Sequence, residues 1–298
     1  MSAMLSGMAR IAIIGGGSIG EALLSGLLRA GRQAKDLAIV ERMPERAKYL
    51  ADTYSVRVTS VADAVENATF VVVAVKPADV EAVMTELARV ANAAESDTAE
   101  QVLVTVAAGI TISYFESRLP AGTPVVRAMP NAAALVGAGV TALAKGRFVT
   151  VPQLEGVSAL FDSVGGVLTV PEAQMDAVTA LSGSGPAYFF LLVEALVDAG
   201  VAAGLSRHVA ADLTAQTMAG SAAMLLERMD SEQSAGRDDP PGMRVDATAT
   251  QLRATITSPG GTTAAALREL ERGGLRAAVD AAVQAAKRRS EQLRITSE

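Results

Sequence analysis

The chain has no cysteine among its 298 residues. Disulfides, thiolate nucleophiles and cysteine-ligated zinc are excluded together, and a cytoplasmic location is expected. There is one histidine, His208. It cannot build a histidine-rich metal centre, so no metal is expected, and its ordinary place is a surface or a helix end. Tryptophan is absent and aromatics are 3% of the chain, so the core must come from Ala, Val, Leu and Ile. Net charge is −6, and no Lys/Arg cluster is interleaved with aromatics, which argues against nucleic acid as a partner. No apolar run approaches the roughly 20 residues of a membrane span, and the first residues do not read as a signal peptide, so no membrane partner is expected. Half the residues are apolar, enough for one large domain or two ordinary ones.

Ile11 to Ile14 is a continuous apolar run that stops at glycines, as a buried parallel strand does. Gly15-Gly16-Gly17-Ser18-Ile19-Gly20 matches G-x-G-x-x-G, and from Ser18 the apolar spacing turns helical until Gly31. Leu37 to Val40 is a second strand. Strand, glycine turn, helix and strand together predict a dinucleotide site, with pyrophosphate on the helix N-terminus. The ribose should be read just after the second strand. Glu41 there favours a free 2′-hydroxyl and Arg42 a 2′-phosphate; the two signals oppose, and NADPH is favoured on Arg42 with NADH as the alternative. Arg46 reads as a solvated helix-start charge. Further strands are expected at Arg57–Thr59, Phe70–Val75, Val102–Val106, Val125–Met129, Val140–Ala144 and Gly166–Val170, with helices between them, as in a doubly wound α/β sheet.

Past Pro171 strands stop. Leu181 to Pro186 is expected to break the chain, and Ala187–Ala203 and Ser206–Met229 to form strongly apolar helices that bury surface against a second copy. Asp230 to Thr248 reads as an exposed polar loop. In Ser258-Pro259-Gly260-Gly261-Thr262-Thr263, Pro and Gly cannot continue a helix, and a helix begins at the threonines. Its unpaired N–H groups, at Gly261 and Thr262, suit a small carboxylate or phosphate, with a Thr hydroxyl beside it. Taken alone, such a turn reads first as a capped surface turn.

Together with Ala74-Val75-Lys76-Pro77, Arg127-Ala128-Met129-Pro130-Asn131 and Leu181-Ser182-Gly183-Ser184-Gly185-Pro186-Ala187-Tyr188, these motifs resemble the pyrroline-5-carboxylate reductase family over nearly the whole chain. The resemblance implies a Rossmann domain, residues 1–170, followed by an all-helical dimerisation and substrate-binding domain, residues 171–298. It implies a homodimer through the C-terminal helices, assembled into a larger ring. It implies reduction of 1-pyrroline-5-carboxylate to L-proline, the last step of proline synthesis, by NADPH or NADH. The cofactor would be held by Ile14, Gly15, Gly16, Gly17, Ser18 and Ile19, by Ala74, Val75, Lys76 and Pro77, and by Ala107 and Ala108, with Arg42 at the ribose. The substrate would lie on Ser258, Gly260, Gly261, Thr262 and Thr263, and Thr263 would bond the ring nitrogen as the catalytic residue. The chain departs from the family pattern at Val61, at Ala254-Thr255, and in an insertion of Arg237 to Thr250 after Ser231-Glu232-Gln233-Ser234-Ala235-Gly236.

A cyclic imine needs a hydride at carbon and a proton at nitrogen, and once protonated it is already electrophilic. A site without cysteine and with one histidine in the chain suits such positioning catalysis. A hydroxyacid dehydrogenase of similar architecture would place a Lys or His on the helix after the boundary, and Gly185 to Asp198 holds neither. A non-catalytic dinucleotide-binding oligomer would keep the glycine turn but has no need of the Ser258 to Thr263 motif.

Overall fold

The computed structural model describes residues 9–93, 101–234 and 248–295. Within them one eight-stranded sheet is built from β1 (Ile11–Ile14), β2 (Leu37–Val40), β3 (Arg57–Val58), β4 (Phe70–Val73), β5 (Val102–Thr105), β6 (Val125–Pro130), β7 (Gly139–Lys145) and β8 (Gly165–Thr169). Its order is β3-β2-β1-β4-β5-β6-β7-β8. Every neighbouring pair is parallel except β6 with β7. The chain reverses its direction of travel across the sheet between β1 and β4, the place where open α/β sheets bind ligands.

Alternation along the central strands explains why both faces are covered. Ile11, Ile13, Val72 and Val104 point into one core, against Leu23, Leu24 and Leu27 of α1 (Ser18–Arg29) and Phe161 of α6 (Val151–Asp162). Ala12, Ile14, Val71, Val73 and Leu103 point into the other, with Met84 of α4 (Val80–Ala93) and Phe115 of α5 (Ile112–Glu116). Successive side chains of a strand leave on opposite faces, so an unbroken apolar run needs helices on both. Local signals set the helix starts. The Thr150 hydroxyl accepts from the Gln153 N–H, and the Gln153 side chain accepts from the Thr150 N–H, a reciprocal cap on α6. Pro44 begins α2 (Pro44–Tyr54), and Ser60 caps α3 (Val61–Val65).

Beyond the sheet come α7 (Met175–Val178), α8 (Gly185–Ala202), α9 (Arg207–Ser234), α10 (Thr248–Thr255), α11 (Thr262–Arg272) and α12 (Leu275–Gln292). The expected break at Leu181 to Pro186 narrows to a bend at Ser184. A π-helical turn, Thr179–Gly183, leads up to it, and α8 starts at Gly185. Pro186 falls in the first turn of α8, where its missing N–H costs nothing. Counted across that bend, the helical stretch Glu172–Ala202 is 31 residues long with a mean hydropathy of 1.5 in its most apolar window, long and apolar enough to cross a membrane by those two measures. This corrects the expectation that no apolar run comes near that length. The polar loop expected from Asp230 is corrected at both ends, since α9 runs to Ser234 and Thr248 opens α10. Residues 235–247, with Asp238 to Gly242, lie outside the described residues.

The chain divides into two compact units. The first holds the described residues up to Pro186 and those from Val283 onward, and the second holds 187–282. The first unit thus runs past Val170 and takes back the chain's last segment. Met175 and Ala180 are buried in it, and buried Asp176 bonds Ser290 and Arg294.

Candidate active site

In the first unit the carboxyl ends of β1, β4 and β5 lie side by side, and each carries a segment expected to bind cofactor. The Ala74 N–H donates to Ile14 O (2.8 Å), the Gly15 N–H to Val40 O (2.8 Å), and the Val106 N–H to Val73 O (3.0 Å). Ile14, Gly15, Gly16, Gly17, Ser18 and Ile19 therefore leave the sheet next to Ala74, Val75, Lys76 and Pro77, with Ala107 and Ala108 one strand further on. Gly15 has φ +109°, and a Cβ there would sit 2.6 Å from Ala74 O, so only glycine makes this turn. At Gly17 an added Cβ would meet nothing within 4 Å. Gly17 is also the N-cap of α1 and provides no side-chain cap. The start of α1 is thus open beside Gly17, with the positive end of the helix dipole behind it, a cradle suited to a phosphate.

Around this turn the structure adds partners that residue patterns did not announce. Both oxygens of Glu41 are engaged, accepting from the Gly16 N–H (3.0 Å) and the Met43 N–H (2.8 Å). Each keeps acceptor capacity for a ribose hydroxyl. Arg42 is exposed and paired with Asp79 at 2.8 Å. Arg46 is not the solvated charge expected of it. Its Nε donates to Gly16 O (2.8 Å), its guanidinium pairs with Glu21, and it lies over the Tyr49 ring. The Tyr54 hydroxyl donates to Glu21 as well (2.8 Å). Burial raises the Glu21 pKa, but hydrogen bonds from Arg46, Tyr54 and Tyr49 outweigh it and hold the carboxyl below its ordinary value. Burial and the bond to Glu21 push the Tyr54 hydroxyl up to about 12. Glu21 is thus a fixed anion that holds Arg46 on the glycine turn. The one legible signal was spacing: Glu21 and Arg46 sit on the first turns of the two helices that follow β1 and β2.

In the second unit, α11 begins where the motif places it. Gly260 turns the chain at φ +71°, and Gly261 is the N-cap, with no side-chain cap. One expectation is corrected here. The Gly261 N–H already donates to Ser258 O (3.1 Å), and the Ala265 N–H to Gly261 O (3.1 Å). Among the described residues the open N–H groups are therefore those of Thr262, Thr263 and Ala264, one residue further along than expected. Thr262 is exposed and Thr263 half-buried. No partner is found for the Thr263 hydroxyl among the described residues, so it is available to a ligand. The Ser258 hydroxyl lies against Gly261, where an added Cβ would come within 2.6 Å of it. His208 stands in the first turn of α9, exposed and 3.4 Å from Asp212.

The second unit buries little of its own apolar surface. Among its described residues only Val197, Ala210 and Thr248 are buried. Phe189, Phe190 and Leu191 of α8 are 58%, 61% and 67% exposed. An apolar surface of this extent marks an interface. A family model for pyrroline-5-carboxylate reductase dimerisation matches residues 172–293. A second model, described as NADP oxidoreductase coenzyme F420-dependent, matches residues 10–109. A pyrroline-5-carboxylate reductase of Mycobacterium tuberculosis is 81% identical over 295 residues, covering 99% of this chain and 100% of that protein. The chain belongs to the pyrroline-5-carboxylate reductase family. A relative of that name from Corynebacterium melassecola is 42% identical, covering 96% of this chain and 99% of its own. Among solved structures, the Coxiella burnetii pyrroline-5-carboxylate reductase aligns with a TM-score of 0.85 at 33% identity, covering 97% of this chain and all of that one. The Plasmodium falciparum pyrroline carboxylate reductase, solved with NADP bound, aligns at 0.75 with 28% identity, covering 96% and 99%. As a family member with this dimerisation segment, the chain is an oxidoreductase of a small-molecule substrate and forms a homo-oligomer.

Proposed function

We propose that this chain reduces 1-pyrroline-5-carboxylate to L-proline with NADPH, NADH being the alternative. The observation that carries this is the 81% identity over essentially the full length of a pyrroline-5-carboxylate reductase. The uncapped, open glycine turn beside the β4 and β5 ends fits the cofactor. Ile14 to Ile19 hold its pyrophosphate on the N-terminus of α1, and Ala74 to Pro77 with Ala107 and Ala108 flank the rest. Arg42 turns from Asp79 to a 2′-phosphate. An exposed ion pair is worth about 1 kcal/mol or less, so a phosphate can displace it. When bound, the nicotinamide supplies the hydride that reaches the imine carbon. Ser258 and Gly260 shape the turn, and the N–H groups of Thr262 and Thr263 hold the substrate carboxylate. The Thr263 hydroxyl bonds the ring nitrogen and orients it while water supplies the proton. Residues 1–170 act as the dinucleotide-binding part and 171–298 as the dimerisation and substrate part. The exposed apolar faces of α8 and α9 are covered by a second copy, which removes any need for a membrane, and dimers assemble further into a ring. The lack of cysteine suits the cytoplasm.

The test is NADPH oxidation with 1-pyrroline-5-carboxylate. The wild-type chain turns it over. Thr263→Ala lowers turnover more than substrate affinity, by roughly ten- to a hundredfold, because the lost bond strengthens as the nitrogen gains charge. Thr263→Ser retains much of the rate. Wild-type turnover by a folded Thr263→Ala protein reduces Thr263 to a helix-start residue.

A further inference from the structure

The loop after β5 is gripped from outside the dinucleotide motifs. Gly109, directly after Ala107-Ala108, has φ +76°, and a Cβ there would fall 2.8 Å from Leu293 O. Gly109 O accepts the Ile295 N–H at 2.7 Å, and Ile110 forms a parallel bridge with Ile295. At the far end of the loop, the Ile112 N–H donates to Glu172 Oε1 at 2.7 Å, and Glu172 is paired with buried Arg127 at 3.3 Å. What fixes Leu293 to Ile295 is Asp176. This buried carboxylate accepts from the Ser290 hydroxyl (2.7 Å) and pairs with Arg294. An unbroken path of bonds therefore runs from Asp176 through the end of α12 to the backbone of the cofactor loop. A buried carboxylate is costly to keep, and here its partners are Ser290, just before the segment lying on Gly109, and Arg294 within that segment.

We propose that Asp176, Ser290 and Arg294 are positioning residues for the cofactor: they hold Leu293 to Ile295 against Gly109, and so hold Ala107 and Ala108 at the spacing the bound cofactor needs. The inference rests on the reading above that this loop lines the cofactor. A loop released at one end samples other positions, and binding is weakened by the fraction of time it is misplaced. Substrate carboxylate binding draws on α11 and is left alone.

Direct titration of NADPH fluorescence and steady-state kinetics test this on the full chain. Arg294→Ala is expected to weaken NADPH binding about tenfold, with turnover at saturating NADPH and the KM for pyrroline-5-carboxylate within about twofold of wild type. Arg294→Lys restores most of the affinity, because it keeps a charge for Asp176. Unchanged NADPH affinity in folded Arg294→Ala overturns the proposal. So does a fall in turnover without a fall in affinity. Should Arg294→Ala fail to fold, Ser290→Ala decides: a rise of about threefold in the NADPH Kd supports the proposal, and no rise overturns it. Ala108→Asp separates the two readings. If it weakens NADPH binding while Arg294→Ala does not, only the positioning role falls. If it leaves NADPH binding intact, the loop does not line the cofactor and both readings fall.

Discussion

The sheet unit and the C-terminal helices draw on the same residues, Ala, Val and Leu, and treat them in opposite ways. In the first, β1, β4 and β5 are buried along their whole length between two helical layers. In the second, α8 carries Phe189, Phe190 and Leu191 more than half exposed. At about 25 cal/mol per Å² of apolar surface, the first unit gathers its stability within one chain, while the second forgoes most of that term until another copy covers it. The sites follow suit. The edge proposed for the cofactor is braced by side chains, Glu41, Arg46 and Glu21, that converge from separate helices and strands. The site proposed on α11 is mostly backbone, a glycine turn and three open N–H groups. The first unit should thus resist changes that ruin the second, and the reverse.

The largest effect expected to sharpen this contrast comes from charging the uncovered face. Leu191→Asp should weaken the dimer by more than about 4 kcal/mol, roughly a thousandfold, since a carboxylate would have to enter an apolar interface. Sedimentation velocity across a concentration series reads it directly. A dimer as tight as wild type would place α8 outside the interface. Next is the turn of the first unit. Gly15→Ala meets both a positive φ and Ala74 O, and should cost about 3 kcal/mol of NADPH affinity, roughly a hundredfold, with the oligomer intact. Calorimetric titration with NADPH checks it.

A smaller effect comes from Asp176 and depends on pH. Burial raises its pKa, but the bonds from Ser290 and Arg294 and the charges of Arg294 and Arg127 more than offset this, so the folded value lies below the ordinary 3.8. A carboxylate lowered on folding adds stability that is complete above its unfolded pKa and is lost as pH falls through the folded one. Asp176→Asn should therefore lower stability by about 2 kcal/mol at pH 7, a Tm drop of about 5 °C, and by little once pH is below both values. Losses that stay equal from pH 7 down through the acid range in thermal scans would mean that charge is not what Asp176 supplies. Smallest is Arg42→Ala. The exposed Arg42 to Asp79 pair contributes little to folding, so the change should raise the KM for NADPH about fivefold and leave that for NADH alone. Equal changes for both would remove Arg42 from the ribose site.

Much of the first unit was legible because its strands are short apolar runs between glycine and proline signals, and β1 and β2 have the expected bounds. The glycine motif was legible for the same reason: the turn depends on neighbouring residues alone. Arg46 was misread because its partners, Gly16 O and Glu21, are distant in sequence and brought near only by parallel pairing of β1 with β2. The break expected at Leu181 to Pro186 is confined to Ser184, because a π turn takes in Gly183 and Pro186 is accommodated in the first turn of α8.

The amino-acid order by itself determined the strand-and-helix alternation, the glycine turn, the start of α11 and the apolar excess of the C-terminal helices. Each follows from periodicity or backbone freedom within a few residues. Tertiary structure decided that Glu41 and Arg46 clamp the glycine turn and that Asp176 reaches across to Ser290 and Arg294. Those are hydrogen bonds and ion pairs whose partners are chosen by where the folded chain places them, and nothing in local residue order records that choice.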